Sequence, residues 1–179
     1  MTMDFGFFET FNDVLKTAII EDYKSLLRSC NNEIPYCCAL VTDSDASTLF
    51  FAMNTIEKYN EKIINVEEKY KAYYKWTPAE WAYGDQMSDK KMISKASGIL
   101  SKKAEDKGVK TNFSAFEIAL YENMTKTLKE LIEKNKYFAG MTVFISISDD
   151  NRARGVENYS AQLLNTEDIY NAFIKRFEK

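Results

Sequence analysis

Two pairs of aspartates carry most of the chemistry this sequence can offer: Asp43 and Asp45 in "TDSDAS", and Asp149 and Asp150 in "ISDDN". Paired carboxylates serve as general acid and base, or as oxygen ligands for Mg²⁺ or Ca²⁺. The four acids would have to meet at one end of a sheet to do either. Against that, "DSDAS" lacks the glycine and the terminal glutamate of a calcium loop. Acids are also ordinary turn residues, because their side chains bond nearby backbone amides. We therefore expect turn acids, with no metal and no cofactor. Arg152 and Arg154 lie close by and are read as offsetting local charge. The chain has no histidine, which removes the commonest general base and the usual zinc ligand. It has no phosphate-binding glycine motif, and only 6 glycines in all. No catalytic residue is assigned.

A second concentration of chemistry is "YYKWTPAEWAYGD", residues 73–85, with two tryptophans and three tyrosines. Thr77 can cap a helix, Pro78 suits the first helical position, and Glu80 can reach back to the cap amide. The spacing predicts extended chain over 73–76, even a fourth strand, and a helical turn over 78–83. Trp76 and Trp81 would then be buried on either side of the Thr77 cap, so that Trp76, Thr77, Pro78 and Trp81 form a structural corner. Glu80, Tyr83 and Asp85 are expected to stay exposed. Together with Asp149 and Asp150 they make the candidate partner-binding surface, since acids beside aromatic rings are typical of interface anchors.

Periodicity places these residues. Phe11, Val14, Leu15, Ala18, Ile19, Tyr23, Leu26 and Leu27 predict an amphipathic helix over 10–28. "YCCALVTD" and "STLFFAMN" are apolar and β-compatible, and predict a hairpin of 36–42 with 48–53. Because both runs are nearly all apolar, the hairpin should be central and covered on both faces. A helix over 55–71, capped by Asn54 with Glu57, follows. Further helices are expected over 88–105 and from the Ser114–Glu117 capping pattern to about 134, with "KGVKTN" as a loop between them. "MTVFISIS" predicts a strand at 141–147, "VENYSAQLL" a short helix, and Asn165 or Thr166 the cap of a last helix. That helix should offer Ile169, Tyr170, Phe173, Ile174 and Phe177 to the core. The fold class is α+β: a small antiparallel sheet of three or four strands with five or six helices, in a single domain over 1–179.

Composition narrows the setting. A formal charge of −3 and a pI near 5.2 argue against nucleic acid as a partner. No apolar run approaches a membrane span. The opening stretch "MTMDFGFFETFND" carries acids and no basic region, unlike a secretion leader. Cys30, Cys37 and Cys38 are an odd set with an adjacent pair, better read as buried thiols of a reducing cytoplasm than as a disulfide frame.

Three stretches carry a resemblance: "FAMNT" after a strand, "YYKWTPAEWAY" in mid-chain, and "VFISISDD" with "SAQLLN" near the end. Together they resemble the bacterial domain-of-unknown-function family 4303, from the first helix to the last. The resemblance implies a cytoplasmic bacterial α+β domain without assigned catalytic residues. Small bacterial proteins of this sort often serve as antidotes to toxins. The expected function is thus a binding module of immunity type whose partner is a toxin protein. The alternative is a carboxylate-dependent enzyme acting on a small molecule or phosphate ester.

Overall fold

The structure, a computed structural model, describes residues 6–178. Met1–Phe5, the start of the stretch compared with a secretion leader, lie outside the described residues.

Helix α1 (Gly6–Ser29) buries Phe11, Leu15, Ile19, Tyr23 and Leu26, one stripe at three- and four-residue steps. Val14 and Leu27 flank that stripe and are exposed, contrary to expectation. The chain then enters the hairpin, β1 (Pro35–Thr42) and β2 (Leu49–Thr55). Asp43 builds the turn between them. Its two oxygens accept from the amide and hydroxyl of Ser47 and from the hydroxyl of Thr48, at 2.7–2.9 Å.

Next comes α2 (Ile56–Lys62), α3 (Glu68–Trp76), a 3-10 turn at Pro78–Glu80, the two-residue strand β3 (Tyr83–Gly84) and a second 3-10 turn at Asp85–Met87. Helices α4 (Met92–Ala104), α5 (Lys107–Thr111) and α6 (Phe113–Asn135) lead to β4 (Thr142–Ile147), and α7 (Ala153–Leu164) and α8 (Glu167–Ile174) follow.

The sheet runs β3-β2-β1-β4. It is α+β with a central hairpin, but mixed: β2 is antiparallel to both its neighbours, whereas β4 pairs parallel with β1. An alternating pattern sets which face a side chain takes, not strand direction, so the sequence alone could not show this. Side chains alternate along β1. Cys38 and Leu40 join Phe51, Met53, Val143 and Ile145 under α1, α4 and α6. Cys37, Ala39 and Val41 face the other way, toward Trp81, Phe144, Ala161 and Phe173. Both faces of the hairpin are covered, as expected. All three cysteines are buried and free, and burial pushes the Cys30 thiol up to about 11.

Several boundaries differ from the expectations, most of them where a polar side chain bonds to a distant partner. The helix foreseen at 55–71 is two helices. Thr55 rather than Asn54 caps the first, accepting from the Lys58 amide at 3.2 Å. Asn54 instead takes the Ala82 amide and donates to the Tyr36 hydroxyl, while Glu57 receives the Ile34 amide. Helix α4 starts at Met92, not 88. Its cap comes from α1, where buried Asp22 accepts from the Met92 and Ile93 amides at 3.1 and 2.7 Å and from the Ser88 hydroxyl at 2.6 Å. "KGVKTN" is helical as α5. Ser114 caps nothing, for α6 starts at Phe113, with Asn112 at the cap position and Glu117 turned to Arg152. Thr166 occupies the cap position of α8 without a side-chain bond, and Asn165 bonds Val143 of β4 through both its amide groups. Phe177 lies past α8 and is exposed. Among the described residues, no helix is long and apolar enough to cross a membrane.

Candidate functional site

The 73–85 corner is built differently from its sequence pattern. Residues 73–76 are the last turn of α3, not extended chain, and the Thr77 amide closes that turn on the Tyr73 carbonyl at 3.0 Å. Thr77, next in the chain, is extended, at φ −96° and ψ 110°, the region that a following proline enforces. Its side chain makes no capping bond. Glu80 does not reach back to it either, but pairs with Lys62 at 3.2 Å. Trp81 is buried as expected, its ring edge-on to Phe144 and its indole N–H donating to the Lys75 carbonyl at 3.0 Å. Trp76 is half-buried, edge-on to Phe173. Phe144 and Phe173 in turn lie 4.8 Å apart. The two indoles thus reach one phenylalanine pair from α3 and from the 3-10 turn, and hold both to the sheet.

The expected partner surface divides. Tyr83 and Asp85 are interior, at 5% and 6% exposure, so their predicted exposure is not found. Tyr83 sits on β3 opposite Met53 and donates to Glu33 at 2.8 Å. Asp85 accepts the Phe51 amide at 2.7 Å, and burial raises its pKa. Pairing with β2 draws both inward, a demand that a two-residue strand does not announce in sequence. Asp150 is held by Arg152, which also forks onto Glu117 at 2.8 and 2.9 Å. Asp149 is exposed, in the left-handed region at φ 54°. Of the five candidates, Glu80 and Asp149 act on one group that the sequence reading missed, the exposed Tyr73. Burial raises that hydroxyl's pKa, and Glu80 and then Asp149 raise it further. Among the described residues, no group of three or more His, Cys, Asp or Glu could hold a metal ion.

Two of the hollows in the surface stand out, the second of them beside this same corner. The first, of about 490 Å³, is a groove between α6 and α7. Ile118, Tyr121 and Thr125 form one wall, Val156, Tyr159 and Leu163 the other, and Ile145 of β4 the floor. Ile118, Tyr159 and Leu163 are 56%, 65% and 41% exposed, a contiguous apolar strip open to solvent. Lys126, Lys129 and Glu122 rim it. Lys126 makes no ion pair among the described residues, and Lys129 only a 3.9 Å contact with Glu133. From Ile118 to Lys129 the groove follows eleven helical steps, about 16 Å at 1.5 Å each. The second hollow, of about 950 Å³, opens between α3 and the end of α8, beside Trp76, Lys75 and Arg176. Arg176 is buried there, ion-paired to Glu157 at 2.8 Å, its guanidinium 3.8 Å over the Phe173 ring. Burial lowers its pKa.

A family model described as a domain of unknown function (DUF4303) matches residues 15–166. No curated protein and no solved structure matches the chain.

Proposed function

The chain belongs to the DUF4303 family, and from there we propose that it is a cytoplasmic protein-binding module of immunity type, which neutralises a bacterial toxin by seating one of its helices in the α6/α7 groove. The observation that carries this reading is the exposed strip of Ile118, Tyr159 and Leu163 along the groove. Anchors spaced along two helix ridges suit the apolar face of a third helix, which engages through positions a turn apart. A groove of about 16 Å takes roughly three helical turns. Lys126 and Lys129 at the rim favour a helix with acids beside its apolar face, because opposite charges speed encounter and fix register. Tyr159 would be the principal anchor, large, apolar in body and hydroxylated at its tip.

The carboxylate-enzyme alternative draws less support, because two of the four acids it needs are committed within the fold: Asp43 holds its own turn and Asp150 the Arg152 fork, which leaves only the exposed Asp45 and Asp149. The test of the binding reading is co-expression with the C-terminal domain of a secreted protein encoded beside this gene. Rescue of growth and co-purification are expected, with Tyr159→Ala weakening the complex about 30-fold, the equivalent of ~2 kcal/mol. Ile118→Asp should abolish it at unchanged melting temperature. Failure to rescue or co-purify, or full binding by Ile118→Asp, overturns the reading.

A further inference from the structure

In a protein of net charge −3, a half-buried cation without a carboxylate partner is out of place, and Lys75 is one. Among the described residues no acid pairs with it. Its Nζ lies instead 5.9, 5.8 and 5.1 Å from the ring centroids of Tyr36, Tyr59 and Trp76. Cation–π contacts at such distances offset part of the lost hydration but leave the charge itself uncompensated. Lys75 lines the 950 Å³ cleft between α3 and the end of α8.

The other cations of the cleft are paired. Lys71 is matched to Glu68 at 2.7 Å, Lys69 to Glu67 at 3.0 Å and Arg176 to Glu157 at 2.8 Å. Arg154 stands against the Phe177 ring with no acid partner among the described residues, and Arg176 shares that ring. Once these pairs are discounted, the lining keeps one cation without an acid partner among the described residues, half-buried Lys75, and one such acid, exposed Glu178, while Arg154 adds positive charge against the Phe177 ring without lining the cleft. The Arg176 Nε is buried with no hydrogen-bond partner, although buried donors are nearly always satisfied. Aromatic faces complete the wall: Tyr59, Tyr73, Trp76 and the exposed Phe177.

We propose that this cleft is a binding site for a small aromatic anion of mononucleotide class, with its phosphate on Lys75 and its base on the aromatic wall at Trp76. Size selects the class. A bare phosphate would leave most of the cleft empty, for its volume of about 950 Å³ lies at the upper end of the usual range of ligand sites, about 300–1,000 Å³. The unpaired Lys75 ammonium supplies orientation, and stacking on an aromatic face holds the base. The cleft and the α6/α7 groove share no lining residue, so either can be lost without the other.

The experiment is a calorimetric titration of the full chain with adenosine monophosphate, alongside adenosine and inorganic phosphate, with quenching of Trp76 followed in a Trp81→Phe background. We expect saturable one-to-one binding of the monophosphate that weakens with added salt, and at least tenfold weaker binding of each fragment. Lys75→Met, which keeps the aliphatic stem and removes the charge, should weaken binding at least tenfold at an unchanged melting temperature. Lys129→Met, on the other hollow, should leave it intact. No binding at millimolar monophosphate overturns the proposal. So does undiminished binding by Lys75→Met, or phosphate binding as tightly as the nucleotide.

Discussion

Replacing Asp22 by alanine removes the acceptor for three donors at once: the Ser88 hydroxyl and the amides of Met92 and Ile93. The carboxylate is fully buried on α1 and serves as the N-terminal cap of α4 from a distance. Hydrogen bonds to a charged group contribute about 1.5–3 kcal/mol each, and a stranded buried donor costs about 1–3 kcal/mol. The three do not add. Ser88 can rotate its hydroxyl, and Met92 is only half-buried, so water can serve its amide. Ile93 is wholly buried, and its amide, 2.7 Å from the carboxylate, has no substitute. The Ile93 contact therefore sets the floor, and the loss should total about 3–5 kcal/mol, a fall in melting temperature of roughly 6–20 °C for a chain of this length. Asp22→Asn keeps one acceptor oxygen and should cost about half as much. Urea denaturation at pH 7 reads this as a shift in midpoint at constant slope. Hydrogen exchange should localise it to the first turn of α4. A loss below about 1 kcal/mol for Asp22→Ala would refute the reasoning, because it would mean that α4 begins without that cap.

Trp81→Ala should cost about 3–5 kcal/mol, since it empties a buried indole site against Phe144 and frees the Lys75 carbonyl; Trp76→Ala, at a half-buried site, should cost clearly less in the same thermal melts. Thr77→Ala should stay within about 0.5 kcal/mol of the parent by chemical denaturation, because the side chain makes no capping bond. Burial alone would raise the pKa of Asp43, but hydrogen bonds from Ser47 and Thr48 outweigh it and hold the carboxyl below its ordinary value. A depressed carboxyl stabilises the fold above its unfolded value of about 3.9, and that stability is lost as pH falls through the folded value. Asp43→Asn should therefore flatten the decline of melting temperature below about pH 4.

The elements that surrendered to sequence reading were those whose apolar side chains repeat at one period: α1, the hairpin, α6 and β4. Their burial follows from spacing alone. What did not follow was where polar groups would find partners across the chain. Asn54, Asn165, Glu57 and Glu117 all stand where a local cap would use them, yet each bonds to a segment at least 22 residues away. Local capping patterns count the nearest amide, and folding offers others. The candidate surface failed on the same ground at Tyr83 and Asp85, drawn inward by Glu33 and Phe51. The α6/α7 groove left a trace in the sequence: Ile118, Tyr159 and Leu163 lie off the stripes that their helices bury.

The parallel pairing of β4 with β1 also sets a timetable for synthesis. From Thr42, the end of β1, to Ile147, its partner at the end of β4, there are 105 residues. At about 5–20 residues per second, a ribosome needs roughly 5–20 s to span them. The hairpin can close at once, in about 1–10 μs, yet one backbone edge of β1 stays open for that whole interval. Phe144 and Phe173, which cover its Cys37, Ala39 and Val41 face, come equally late. The nascent chain thus carries an apolar strand with a free edge, the arrangement most prone to pair with another chain. Slowing elongation between β2 and β4 should lower soluble yield at constant final stability, and a holdase chaperone should restore it.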